Sequence, residues 1–179
     1  MRTMVFLLLF FPALCSASGV LQAWFAPPPA GSNRVSLVLR NTGDDDINIV
    51  LYTLPWLMKD GKLMNSAVMQ LTTQDGRRVG YRGAFYEPDL SDPERFVTIK
   101  PGAEKRYDAD MSVNYDMVPG QYYRVGSLMR MKYLDHALAS YPDRSNSVLR
   151  SLYRVAEATP AIFVAAPVAC PDPIAGGGC

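Results

Sequence analysis

The chain has 179 residues, of which 49% are hydrophobic and 20% charged, with a formal net charge of +1. This balance belongs to a folded globular protein and argues against wholesale disorder. A near-neutral chain also lacks the electrostatic footprint that nucleic acid or an anionic membrane surface requires.

The first seventeen residues read as a secretory signal peptide. Arg2 supplies the positive n-region, Val5 to Phe11 is an unbroken apolar run too short to span a bilayer, and Cys15-Ser16-Ala17 ends it with small residues. Cleavage is expected after Ala17, which places the product in a secreted or periplasmic compartment. Leu14 stands where a lipobox wants a small residue, which argues against lipid attachment at Cys15. The remaining chain, roughly 160 residues, is the size of one domain. Its longest later apolar run, Ala161 to Val168, is interrupted by Pro167, so no membrane insertion is expected after cleavage.

Period-two alternation dominates from there. A first strand is expected around Leu21 to Phe25, followed by the stiff Pro27-Pro28-Pro29 connection. Val35, Leu37 and Leu39 alternate up to the turn residues Asn41-Thr42-Gly43-Asp44, and Ile47, Ile49 and Leu51 resume the pattern. Two such runs around a short Asn/Gly/Asp segment predict a hairpin. Leu54 to Ala67 then joins two sheets, with Trp56, Leu57 and Met58 as an apolar cluster. Val68–Thr73 and Arg78–Tyr81 flank Gln74-Asp75-Gly76-Arg77, a second hairpin whose Asp-Gly pair supplies the positive backbone dihedral of the turn.

The segment Tyr81 to Arg95 is too long for a minimal hairpin and carries Tyr81, Arg82, Phe85, Tyr86 and Arg95. Tyrosine and arginine are favoured anchors at protein interfaces, so these residues, with Trp56, form the candidate binding set. The competing structural role is that Tyr81 and Phe85 cap one end of the core. Phe96 to Ile99 is a short strand stopped by Lys100-Pro101-Gly102, with Ala103 to Met111 as its expected partner.

Tyr122 to Tyr133 alternates most cleanly, with Tyr123, Val125, Met129, Met131 and Tyr133 inward and Arg124, Arg130 and Lys132 outward. Met111, Met129 and Met131 read as core filler. An insertion over Asp135–Ala158 carries Leu149, Leu152, Tyr153 and Ala156 at helical spacing after Ser145-Asn146-Ser147, and Ala161 to Ala165 is the last strand. The pattern predicts an all-β fold, an antiparallel sandwich of about seven strands. The expected organisation is a signal peptide at 1–17, a sandwich domain over 18–169 with its 135–158 insertion, and a tail at 170–179. Cys170 and Cys179 remain once Cys15 departs, and an oxidising compartment favours their pairing as a disulfide across that tail.

Chemistry is sparse. His136 is the single histidine, too few for an ordinary zinc hydrolase site. A Ser127–His136–Asp135 triad lacks the nucleophile-elbow pattern. The runs Asp44-Asp45-Asp46 and Asp89/Asp92/Glu94 lack calcium-loop spacing, and Gly176-Gly177-Gly178 has no flanking strand and helix to make a phosphate loop. The sequence therefore predicts no catalytic residue, no metal and no cofactor.

A further set of residues carries a family resemblance. Val38-Leu39-Arg40-Asn41-Thr42-Gly43-Asp44, then Ile49-Val50-Leu51, Thr53 and Pro55, resembles the opening of the small β domain that precedes the catalytic part of deuterolysin-type zinc endopeptidases, including the peptidyl-Lys metalloendopeptidases. The resemblance continues through Asp75-Gly76, Val79-Gly80-Tyr81-Arg82-Gly83, Phe96 to Glu104 and Pro119-Gly120-Gln121-Tyr122, covering roughly Val35 to Met131 in order. It implies an immunoglobulin-like sandwich that in those enzymes is a propeptide covering or assisting its protease. The catalytic domain has no counterpart here, since no His-Glu-x-x-His occurs. The expectation is an exported, non-enzymatic protein-binding domain that inhibits or chaperones a secreted metalloendopeptidase. The rival expectation is a structural or assembly component of the cell envelope.

Overall fold

In the computed structural model, which describes residues 17–55, 68–85 and 95–167, the alternating runs become ten strands. These are β1 (Leu21–Ala26), β2 (Arg34–Asn41), β3 (Ile47–Val50), β4 (Met69–Thr73), β5 (Phe96–Ile99), β6 (Glu104–Asp110), β7 (Tyr122–Ser127), β8 (Met131–Leu134), β9 (Arg154–Ala156) and β10 (Ala161–Val164). Two short α-helices, α1 (Met111–Asn114) and α2 (Asn146–Ser151), and two single 3-10 turns, Leu51–Thr53 and Leu138–Ser140, complete the regular structure of the described residues. The strands form three antiparallel sheets in the orders β1-β2-β6, β10-β7-β4 and β5-β3-β8-β9. The fold is all-β and sandwich-like, as the alternation predicts. Among the described residues no helix is long and apolar enough to cross a membrane.

The inward residues of all three sheets meet in one core. Leu37 and Leu39 of β2, Ile47 and Ile49 of β3, Leu71 of β4 and Tyr123 and Val125 of β7 are each at most 3% exposed within it. Burying side chains of this size is the main favourable term of folding, at roughly 1.5–3 kcal/mol each. The Asp75-Gly76 turn forms as expected: Gly76 takes φ 82°, and Thr73 N–H donates to Arg77 O at 2.9 Å.

Two expected pairings are corrected. β2 and β3 do not form a hairpin: β2 pairs with β1 and β6, and β3 with β5 and β8. Both are central strands, and β3 is covered on both faces whereas β2 is covered on its outer face only at Val38. Val38, on the outer side of β2, and all four residues of β3 are buried, so the chain must change sheets between them. Ala103–Met111 likewise does not partner β5; β6 pairs with β2 across a second sheet change at Lys100-Pro101-Gly102.

The two crossings are held by one side chain. Asn41, fully buried, donates from Nδ2 to Asp45 O (2.7 Å) and Ile99 O (3.0 Å), and its Oδ1 accepts from Gly43 N–H (3.0 Å) and Val20 N–H (3.2 Å).

Met129 is a further correction. It is 39% exposed, because the 122–133 run breaks at 128–130, where Leu128 N–H donates to Val68 O. Met111 and Met131 are buried as expected. The 135–158 insertion, expected as a short helix or an ordered loop, contains the helix α2, which buries Leu149, but Leu152 is 46% exposed and β9 is an edge strand that the helical spacing does not foretell. Residues 1–16, Trp56 to Ala67, Tyr86 to Glu94 and the Cys170–Cys179 tail lie outside the described residues, so neither the leader nor the disulfide is part of the description.

Candidate functional site

Residues 80–82 continue from the β4 turn and run back against the end of α1. Asp116 N–H donates to Gly80 O (2.9 Å), Arg82 N–H to Asn114 O (2.8 Å), and Tyr81 and Tyr115 form an antiparallel bridge. Asp110 fixes α1 by accepting from Ser112 N–H (2.9 Å) and Ser112 Oγ–H (2.6 Å). Tyr115, 2% exposed, is tied into the core through its hydroxyl, which donates to Met69 O at 2.6 Å.

On this base the aromatic rings form a column. The Tyr81 centroid lies 5.3 Å from that of Tyr115 and 5.4 Å from that of Phe85, the latter pair edge-on at 83°. Edge-to-face packing of this kind contributes about 0.5–1.5 kcal/mol beyond area burial. The Tyr81 hydroxyl donates to Ala84 O (3.0 Å), which folds the backbone of 82–84 around the ring. Burial pushes that hydroxyl up to about 12 and, aided by the neighbouring Tyr81, moves Tyr115 upward as well, so both are neutral donors at ordinary pH.

The column ends at Phe85, which is 81% exposed. Beside it, Arg82 pairs with Asp116 (Nε to Oδ1 3.0 Å) and donates to Tyr115 O (3.2 Å). Tyr81, Arg82 and Phe85 are thus brought together. Arg95 is exposed, and its carbonyl accepts from Leu51 N–H (2.8 Å) at the head of β5. Trp56 and Tyr86 lie outside the described residues. The core-capping role belongs to Tyr81, whereas Phe85 points its apolar surface at solvent.

Gly83 makes the column possible, since a β-carbon there would overlap the Tyr81 hydroxyl. Gly83→Ala is expected to displace the ring and cost about 1–2 kcal/mol, as other overpacked sites do. Urea denaturation together with the near-ultraviolet tyrosine signal checks this.

The catalytic alternatives do not assemble. Ser127 lines a groove of about 540 Å³ on the β4–β7 face; among the described residues no histidine lines it, and the one carboxylate there, Glu157, is paired with Arg130 (Nε to Oε1 2.6 Å). His136 lies between two carboxylates, with Nδ1 2.9 Å from Asp45 Oδ2 and Nε2 3.8 Å from Asp135 Oδ1. Asp135 is also bound by Arg154. Asp44, Asp45 and Asp46 point to separate partners: Ser18, His136 and Lys100 respectively. Among the described residues no group of three or more His, Cys, Asp or Glu side chains is placed to hold a metal ion.

The His136 hydrogen bond, with Asp46 N–H, holds the Asp45 carboxyl below its ordinary 3.8. A depressed folded value means stability that is present above 3.8 and lost as pH falls through the lower folded value. Asp45→Asn is therefore expected to be less stable than the parent above the ordinary carboxylate value and to converge with it as pH falls through the lowered folded value, which a pH series of urea melts measures.

No protein-family model and no curated protein matches this chain. The column's most informative component, Tyr115, went unrecognised in the sequence. The Asp110-x-Ser112 capping pair was the one signal that could have placed a helix there.

Proposed function

We propose that this chain is an exported, non-enzymatic domain that binds protein through the Phe85 end of the aromatic column, and that its partner is an exported metalloendopeptidase which it restrains. The observation that carries the binding reading is the Tyr115–Tyr81–Phe85 column, a rigid support rooted in the core that delivers an aromatic ring 81% exposed. Exposed aromatics on preorganised supports lose little conformational freedom on binding and act as anchors at interface centres. Arg82, already engaged with Asp116 and Tyr115 O, supplies a polar rim beside the ring.

The peptidase identity rests on the sequence resemblance to the deuterolysin-type propeptide domain, an analogy of family rather than of site. The test is inhibition. The purified mature chain is expected to slow a co-secreted metalloendopeptidase at near-stoichiometric concentration. No inhibition across a panel of such enzymes removes the peptidase, and a pull-down that instead recovers envelope assembly proteins selects the envelope role.

A further inference from the structure

We propose that Ala17–Ser18 is the bond cut on export, and that the ammonium this releases on Ser18 closes an ion pair with Asp44, locking the new N-terminus into a slot built for it. The inference rests on the leader reading and is independent of the protein-binding one.

Residues 18–20 lie between the 41–46 crossing and the start of the 135–158 insertion, and every backbone N–H in the segment is engaged. Ser18 N–H donates to Asp44 Oδ1 (2.7 Å), Gly19 N–H to Asp135 O (2.6 Å) and Val20 N–H to Asn41 Oδ1 (3.2 Å). In return Asp44 N–H donates to Ser18 O (3.2 Å) and Thr42 N–H to Val20 O (2.8 Å). The close approach depends on Gly43, where a β-carbon would overlap the Ser18 carbonyl oxygen and lie 2.6 Å from Val20 N.

Among the described residues, the charges around the slot leave one acid without a basic partner. In the acidic run, Asp45 faces His136 at 2.9 Å and Asp46 faces Lys100 at 2.7 Å. Asp44 instead meets a neutral peptide N–H. Hydrolysis adds water across the Ala17–Ser18 bond: Ala17 leaves as the carboxylate, and the Ser18 nitrogen becomes an amine. With an ordinary value of about 7.7–8.0, that amine is largely protonated at neutral pH. The 2.7 Å contact then joins an ammonium to a carboxylate, a charge-assisted bond at the geometry already present. Each acid of the run would then have a basic partner from a different part of the chain.

Two measurements test this. The full precursor is expressed in a bacterial exporting host, and the exported product is read by intact mass and N-terminal sequencing. The expected start is Ser18, and any other start overturns the processing assignment.

The second measurement compares urea melts of a chain beginning at Ser18 with one retaining Gly-Ala17 ahead of it, each with and without Asp44→Asn. In the Ser18 chain Asp44→Asn is expected to reduce the folding equilibrium constant about two- to fivefold, the range of exposed ion pairs. The loss should shrink in the extended chain and in 1 M salt, where the screening length is about 3 Å. An equal loss in both chains, or none in either, overturns the ion pair while leaving the protein-binding reading untouched.

Discussion

Asn41→Ala is expected to be the most damaging single substitution on a polar residue of this protein, lowering stability by about 3–5 kcal/mol. The side chain is fully buried and makes four hydrogen bonds, all to main-chain groups. Alanine removes them and leaves Asp45 O, Ile99 O, Gly43 N–H and Val20 N–H without that partner. A buried polar group left unsatisfied costs about 1–3 kcal/mol, and local relaxation toward water at the surface crossings recovers part of the sum. For a domain of this size the loss corresponds to a melting temperature lower by about 8–15 °C. Thermal and urea melts check it, and a change below 1 kcal/mol would show that the two crossings hold themselves. Asn41→Asp is expected to be no milder, because a carboxylate cannot donate to the two carbonyls and would be buried as a charge.

The role of Asn41 also explains what the sequence did and did not reveal. Most strand positions were legible, because alternation reports which residues face a core whatever the partner strand. β1, β2, β4, β5 and β10 fall where the pattern places them. Pairing was not legible. Asn41-Thr42-Gly43-Asp44 is ordinary hairpin chemistry, and nothing local distinguishes a turn that reverses the chain within one sheet from one that passes it to another. The distinction lies in Val38 and in Asn48 and Val50, whose burial on the second face requires neighbours distant in sequence. Met129 departs from the pattern for a related reason: the alternation of residue types continues through 128–130 while the backbone breaks to reach Val68. At the candidate site, Tyr81, Arg82 and Phe85 were visible by composition alone. Tyr115 was not, because its contribution depends on a long-range bridge to Tyr81 and a hydroxyl contact to Met69, neither of which has a local signature.

Phe85→Ala is expected to weaken partner binding by about 30-fold, the effect of losing a hot-spot anchor of roughly 2 kcal/mol, while lowering stability only by about the 0.5–1.5 kcal/mol of its edge-on contact with Tyr81. The two halves of this expectation have separate causes. Because Phe85 is 81% exposed, truncating it opens no cavity in the free protein. In a complex, the same ring would be desolvated on a support that holds its orientation in advance. The supporting ring gives the converse pattern. Tyr81→Phe keeps the stack with Tyr115 and Phe85 and loses the bond to Ala84 O, so a small effect on both measurements is expected. Tyr81→Ala removes the half-buried middle of the column, costing about 2–4 kcal/mol of stability and releasing Phe85 from its position, so binding falls as well. Titration calorimetry or surface capture against the partner, run beside urea melts of each variant, separates the cases. If Phe85→Ala binds as the parent does while Tyr81→Ala is merely unstable, the column is a core cap and the recognition surface lies elsewhere.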